Sequence, residues 1–408
     1  MGMQPKLRFK GFTDDWEKRR LGDVVNKVRS YSLSRDVECN KSTGYKYIHY
    51  GDIHTGVADI INKKSVLPNI KPNQYDTLSV NDLIVADASE DYQGIASPAV
   101  IQALPDENLV AGLHTIALRP QDTNATFLYY LLHTGNFKHF GYRAGTGLKV
   151  FGISWPNLSK FEFNLPSQKE QDKVVDLLRL LDNLVVVNQR KVDLLKRKKA
   201  GYLQKLFPKN GQNNPELRFK GYTDAWEKRK LENFTKSYSG GTPSISRSDY
   251  YGGEIPFIRS AEINSDSTDL YLTEIGLKNS SAKMVQYGDI LYALYGATSG
   301  EVGIARIHGA INQAILAIKP TDGDDSQFIM QWLRKQKGHI INTYLQGGQG
   351  NLSGSIVKSL EVRTPVNKNE EFKIGSLLKK IDNLITVNQR KVDLLKKEKK
   401  ALLQKMFI

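Results

Sequence analysis

Leu177–Phe207 reads LLRLLDNLVVVNQRKVDLLKRKKAGYLQKLF, and Leu377–Phe407 reads LLKKIDNLITVNQRKVDLLKKEKKALLQKMF. The two stretches share 20 identities in 31 positions at an offset of 200. A second pair, Leu7–Leu21 (LRFKGFTDDWEKRRL) and Leu217–Leu231 (LRFKGYTDAWEKRKL), shares 12 in 15 at an offset of 210. Two such matches in the same order make the chain a tandem duplication of a unit of about 200 residues.

The first-quoted blocks read as long helices. Pro166-Ser167-Gln168-Lys169-Glu170 joins a Pro stop to a Ser-x-x-Glu capping box, and Asn367 with Glu370 repeats it after Pro365. Apolar residues then recur at helical spacing: Val174, Leu177, Leu178, Leu181, Leu184, Leu195 and Leu206. The second copy gives Ile374, Leu377, Leu378, Ile381, Leu384, Leu395 and Met406. About 40 residues rising ~1.5 Å each give a rod near ~60 Å, marginal alone and in need of a partner for its apolar stripe. The other copy is the obvious partner. Asn188 and Asn388 interrupt the stripe at equivalent positions; a polar residue there either fixes coiled-coil register or sits on the rim of the seam. If both units fold alike, Leu7–Leu21 docks beside the C-terminal end of the second helix. Antiparallel helices then place two globular domains at opposite ends of the rod about a pseudo-twofold axis.

Between the helical blocks lie stretches alike only in outline. Tyr47-Ile48 through Gly51-Asp52-Ile53 parallels Phe257-Ile258 through Ala261-Glu262-Ile263. Val80–Ala86 parallels Tyr287–Ala293, and His114–Pro120 parallels Ala314–Pro320. These β-branched and aromatic runs, punctuated by Gly, Asn, Asp and Pro, read as strands and loops. Helical segments near Phe127–His133 and Phe328–Lys335 precede the Gly-rich turns Gly145-Thr146-Gly147 and Gly347-Gly348-Gln349-Gly350. The expected fold is mixed α/β (α+β): an N-terminal segment with a first globular domain (1–165), a helical spacer (166–210), a second domain (211–365) and a second spacer (366–408).

The 408 residues carry 58 Lys+Arg against 43 Asp+Glu, a net charge of +15, which points to a polyanionic partner. By block the net charge is +2, +6, +1 and +6, so most of it sits on the helical spacers, densest at Lys196–Lys199 and Lys396–Lys400. A solvated helix face explains such runs as well as a ligand does. Near-neutral globular domains do not argue against nucleic acid, because base reading uses a few placed side chains while net charge governs phosphate affinity. One cysteine, Cys39, excludes disulfide frameworks and multi-thiolate metal sites and fits a cytoplasmic location. No apolar run approaches a membrane span, and neither a secretory signal nor a myristoylation pattern is expected.

Catalytic motifs are missing. There is no G-x-x-x-x-G-K-[ST] loop, H-E-x-x-H, C-x-x-C, or Asn/Asp-Pro-Pro-aromatic segment. Pro105-Asp106 lacks a downstream Glu-x-Lys, His49 and His54 are poorly spaced for shared metal ligation, and Ser89-Glu90-Asp91 reads as an acidic loop tip.

Two divergent domains alternating with matched spacers, each introduced by L-R-F-x-G-[FY]-x-x-x-W, resemble a type I restriction–modification DNA specificity subunit. The resemblance covers essentially the whole chain. Ser239-Gly240-Gly241-Thr242-Pro243, Asp289-Ile290 and the turns leading to Ile153 and Ile356 carry it further. The first domain departs from it: Tyr31–Arg35 stands where a Gly-Gly-Thr-Pro opening belongs. The resemblance implies a non-catalytic subunit whose two target recognition domains each read half of a bipartite, asymmetric duplex target. It implies spacers that set the half-site distance and bind two methyltransferase subunits, which bring S-adenosylmethionine for adenine methylation. A restriction–translocase subunit would bring ATP and Mg²⁺; this chain itself would bind no cofactor or metal.

Base discrimination favours Arg or Lys for guanine and Asn or Gln for adenine. The candidates near expected loops are Lys46, Tyr92, Gln93, Arg143 and Lys149 in the first domain. In the second they are Thr242, Ser244, Arg259, Tyr295, Thr298, Gln346, Gln349 and Asn351. Gly145, Gly147, Gly347, Gly348 and Gly350 either admit a phosphate or form a turn. Trp16, Trp226, Phe9 and Phe219 read as packing between spacer and domain. A coiled-coil scaffold presenting two protein-binding domains is the competing reading. A nonspecific RNA or single-strand binder fits less well, since it wants aromatics interleaved with basic residues on a sheet.

Overall fold

A computed structural model describes residues 4–92, 94–147, 150–209, 211–321, 323–345 and 351–407. The chain divides into two units, residues 1–188 with 391–408, and residues 189–390. The boundaries cut through both spacers. Each unit therefore holds one globular domain, the first half of the spacer that follows it, and the last half of the other repeat's spacer.

In the first unit a five-stranded sheet runs in the order Val25–Val28, Thr115–Pro120, Leu83–Ala86, Pro98–Ile101, Ile60–Ile61. A second sheet orders Asn108–Ala111, Tyr45–Ile48, Asn69–Ile70 and Glu38–Cys39. The second unit repeats the plan with two four-stranded sheets. One is Thr235–Ser239, Ile315–Pro320, Ile290–Ala293, Val302–Ile304; the other is Tyr271–Leu272, Tyr251–Ile258, Gly309–Ile311, Lys283–Val285. The strands expected from VNDLIVA and HTIALRP pair antiparallel with each other, Leu83 opposite Leu118, and their counterparts pair Ile290 with Ile318. Just before each central strand a buried carboxylate caps the turn: Asp82 accepts from Ser79 N–H and Asp289 from Gln286 N–H. The facing strand supplies its cation, Arg119 at 2.7 Å in one unit and Lys319 at 3.2 Å in the other.

The spacer helices span Gln168–Lys205 and Lys368–Met406. Within the first unit Val174, Val175 and Leu178 share a core with Met406 and Phe407, while Asp182, one turn further along, meets Lys399. One segment ascends as the other descends, so the two halves pack antiparallel. The second unit mirrors this, with Ile374 and Leu378 beside Leu206 and Phe207, and Asp382 bonded to Lys199 at 2.6 Å. Phe407 packs on Phe127 and Phe207 on Phe328, both with ring centroids 5.0 Å apart. Trp16 and Trp226 lie buried in the same cores, with Phe9 and Phe219 packed against them. The entry segments dock as anticipated: Leu7 N–H donates to Lys405 O and Leu217 N–H to Lys205 O, both at 2.9 Å.

Two local readings need correction. Neither capping box closes, because each glutamate faces a more demanding partner. Glu170 accepts from Arg8 at 2.8 and 2.9 Å and from the Trp16 indole, and Glu370 accepts from Arg218 at 2.7 and 2.9 Å. A guanidinium fork outcompetes one backbone N–H. Val192 and Val392, both fully buried, belong to the apolar stripe, whereas Leu384 is half exposed. Asn188 and Asn388 each donate to the carbonyl four residues back in their own helix, Leu184 and Leu384, at 2.6 Å.

At the departure from the Gly-Gly-Thr-Pro pattern the units solve one packing problem differently. A Cβ on Gly240 would lie 1.8 Å from the Ile311 carbonyl oxygen, so the second unit needs a glycine there. In the first, Tyr31 N–H donates to Ala111 O and its ring meets Tyr75 edge-on at 5.0 Å.

Candidate nucleic-acid interface

Both units build a loop cluster at the same place, where the segment after the central strand meets the segment that follows the domain's helix. In the first unit Ala88–Ser89 pairs with Phe151–Gly152, Ala88 opposite Gly152. In the second the equivalent bridge joins Tyr295 to Asn351. Thr298 completes this second cluster, its hydroxyl donating to Tyr295 O at 3.2 Å. Three of the nominated residues are thereby brought together.

The first cluster is aromatic. Tyr92, 42% exposed, lies over Phe151 with centroids 3.7 Å apart and against Tyr142 at 4.8 Å. Arg143 is exposed on the last turn of the helix Gly135–Ala144 and has no partner among the described residues. Tyr142 and Phe151 were absent from the candidates named above. The available signal was the run Phe137–Arg143, in which Phe137 and Phe140 mark an inward helical face and leave Tyr142 outward. Gly147 has φ +129°, and a Cβ there would strike the Val150 carbonyl oxygen at 1.9 Å, so the chain's own turn accounts for this glycine.

Other candidates lie elsewhere. Lys46 was expected near a loop but sits within the strand Tyr45–Ile48. Its ammonium donates to Leu67 O at 3.2 Å and Asn69 Oδ1 at 3.3 Å and faces Glu107 at 3.5 Å. Arg259 is clasped by its own neighbours, donating to Glu262 at 2.6 and 3.2 Å and to Asp269 at 3.1 Å. Burial alone would raise the Glu262 carboxyl. Arg259's side chain and backbone N–H and the Thr268 hydroxyl instead hold it down at about 2. Thr242 donates to Gln313 at 2.6 Å, and Ser244 bonds Ser246 at 2.8 Å, both on exposed loop. Gln93, Lys149, Gln346, Gln349, Gly347, Gly348 and Gly350 lie outside the described residues.

No group of three or more metal-ligating side chains exists among the described residues, and no described helix is long and apolar enough to cross a membrane. His49 caps the short helix Tyr50–His54 through its Nδ1, while His54 bonds Ala88 O at 2.7 Å.

Comparison with known proteins agrees with this geometry. The family model for the type I restriction modification DNA specificity domain matches twice, over residues 13–197 and 223–397. A putative type I restriction enzyme MjaX specificity subunit of Methanocaldococcus jannaschii is 26% identical over 405 residues, covering 96% of this chain and 92% of that protein. The EcoR124I/EcoR124II specificity subunit of Escherichia coli is 24% identical over 273 residues, covering 64% and 65%. In fold, the crystal structure of the type I restriction–modification S subunit of M. genitalium matches with a TM-score of 0.68. Its coverage is 100% of this chain and 99% of that one, at 15% identity. With two family matches spanning most of its length, each centred on one globular domain and its spacer, this chain belongs to the type I restriction–modification DNA specificity family, whose subunits recognise DNA and carry no catalysis of their own.

Proposed function

We propose that this chain reads a bipartite, asymmetric duplex sequence in the cytoplasm, one half-site per unit, and directs partner subunits to it. One observation carries this reading. The two units share strands, turn carboxylates and aromatic cores, yet their loop clusters differ, Tyr92–Tyr142–Phe151 with Arg143 against Tyr295–Thr298–Asn351. A shared scaffold with divergent tips suits two different half-sites, with the continuous helices Gln168–Lys205 and Lys368–Met406 governing their separation.

The partners in this reading are two methyltransferase subunits, which bring S-adenosylmethionine, and restriction–translocase subunits, which bring ATP and Mg²⁺. The spacers support a pair of identical partners because they expose matched apolar residues. Val187 and Val387 are 60% and 63% exposed, and Leu194 and Leu394 both 65%. Apolar residues repeated at equal exposure give two like subunits like footing.

An electrophoretic assay with the methyltransferase partner should show one preferred bipartite sequence; equal affinity for all duplexes defeats the reading. Exchanging residues 22–165 should alter one half-site only. Inserting four residues near Leu194 should change the tolerated spacing while both half-site sequences stay the same.

A further inference from the structure

Beside the first loop cluster, the helix Gly135–Ala144 turns Phe137 and Phe140 into the core. Its outer side carries Lys138, His139, Tyr142 and Arg143, all exposed. The side chains of Lys138, His139 and Arg143 have no hydrogen-bond or ion-pair partner among the described residues, while Tyr142 leans on the Tyr92 ring. Two unneutralised cations and a braced ring thus share one outward stripe. Two hundred residues on, the helix Ser326–Tyr344 buries Ile340 and exposes Gly338, His339, Asn342 and Thr343. Asn342 and Thr343 likewise have no side-chain partner among the described residues. The inner faces match as scaffold; the outer faces differ in chemistry.

We propose that these two outward helix faces are the base-reading elements of the units, entering the major groove of duplex DNA. Lys138, Tyr142 and Arg143 form one reader, and His339, Asn342 and Thr343 the other. This rests on the reading that each unit takes one half-site. An α-helix fits the major groove, where Arg and Lys match the paired acceptors of guanine and Asn matches the donor–acceptor edge of adenine. The uncompensated cations complement the polyanion on the first face. The second face is an amide and hydroxyl reader and needs no charge. The first unit accordingly reads a guanine through Arg143, with the Tyr142 ring beside a thymine methyl, and the second reads an adenine through Asn342.

The test uses the full chain in complex with its methyltransferase partner, a randomised duplex library and sequencing of the methylated products. Arg143→Ala should cost about tenfold or more in discrimination at one guanine of one half-site and leave the other half-site unchanged. Arg143→Lys should keep overall affinity and lose only part of that discrimination, because an ammonium still reaches the guanine acceptors but lacks the planar fork. Asn342→Ala should relax one adenine in the opposite half-site. An unaltered motif in all three variants overturns the proposal while the bipartite reading stands on the parent complex. Affinity falling equally on every sequence, with a flatter salt dependence, makes these phosphate contacts and also overturns it. A parent complex with no bipartite preference removes the reading beneath it.

Discussion

Glu371→Gln should stabilise the second unit at neutral and alkaline pH. The Glu371 side chain is fully buried, and its Oε1 accepts from Asp325 N–H at 2.7 Å. Oε2 meets no donor at hydrogen-bond distance among the described residues, although the Lys368 ammonium is 3.6 Å away. Lys368 is shared with buried Asp324, which also takes Arg229 at 2.8 Å. Burial raises the Glu371 carboxyl, and the Asp324 charge adds to it against Asp325 N–H and Lys368. The result is about 8 instead of the ordinary 4.5. The folded unit therefore holds a proton that the unfolded chain releases. Stability from this group is complete below about pH 4.5 and is lost as pH rises toward about 8. At ~1.4 kcal/mol per pH unit, about 3 kcal/mol has gone by pH 7. The first repeat shows the remedy. Gln171 stands at the equivalent position, its Oε1 accepting from Asn124 N–H and its amide donating to Pro166 O, both at 2.9 Å. Glutamine at 371 keeps the bond to Asp325, offers Asp324 an N–H in place of the proton, and does not titrate. Calorimetric melts of the full chain should agree with the parent near pH 4.5. By pH 7 the variant's second-unit transition should lie higher by about 6–12 °C, at ~2–4 °C per kcal/mol. Parallel pH profiles for parent and variant, or a variant less stable at pH 8, would mean that Glu371 is ionised and paired with Lys368, and would refute the argument.

Arg8→Ala and Arg218→Ala each strand a buried glutamate and should cost about 3 kcal/mol in denaturant titrations. Arg218→Ala should cost more, since Glu170 keeps the Trp16 indole at 3.2 Å while the Trp226 indole has no hydrogen-bond partner among the described residues. A double-mutant cycle on Lys199 and Asp382 should give a coupling of about 1–3 kcal/mol, and one on Lys199 and Asp182 close to zero. A circular permutant opened within 208–215, with 408 joined to 1 by a linker of similar length, should fold and keep the parent's DNA target. The matched bonds Leu7–Lys405 and Leu217–Lys205 predict this, and a chain that melts without cooperativity would contradict it.

What the sequence made legible follows the range of the interactions involved. The duplication, the spacer helices and the strand pairs around Asp82 and Asp289 rest on periodicity and turn chemistry, which are local. The docking of Leu7–Leu21 followed from repeat order alone. Side-chain competition was out of reach: Glu170 looks like a capping-box residue until Arg8, 162 positions away, appears beside it. Lys46 and Arg259 looked available for the same reason, since Glu107 and Asn69 in one case and Glu262 and Asp269 in the other are placed by sheet register and loop closure. The outward stripe at Lys138–Arg143 was readable in principle, because Phe137 and Phe140 mark its inner face. Recognising it required knowing that the helix continues past Thr134, where Thr134 caps a second segment through its bond to Phe137 N–H.

The way each unit is assembled explains why the spacers stayed alike while the domains drifted apart. Asp182 binds Lys399, and Asp382 binds Lys199, so each spacer supplies an aspartate from its first half to its own unit and a lysine from its second half to the other repeat's unit. Tyr130 and Gln331, from equivalent positions on the two domain helices, bond the same two aspartates at 2.8 and 2.6 Å. A change in either half of one spacer must be answered on the other spacer, which ties the two sequences together. Among the described residues no hydrogen bond, ion pair or ring contact ties Tyr92 to Tyr295 or Arg143 to Thr343. Identity therefore persists where one repeat completes the other, and divergence collects on the surfaces that this fold leaves untied.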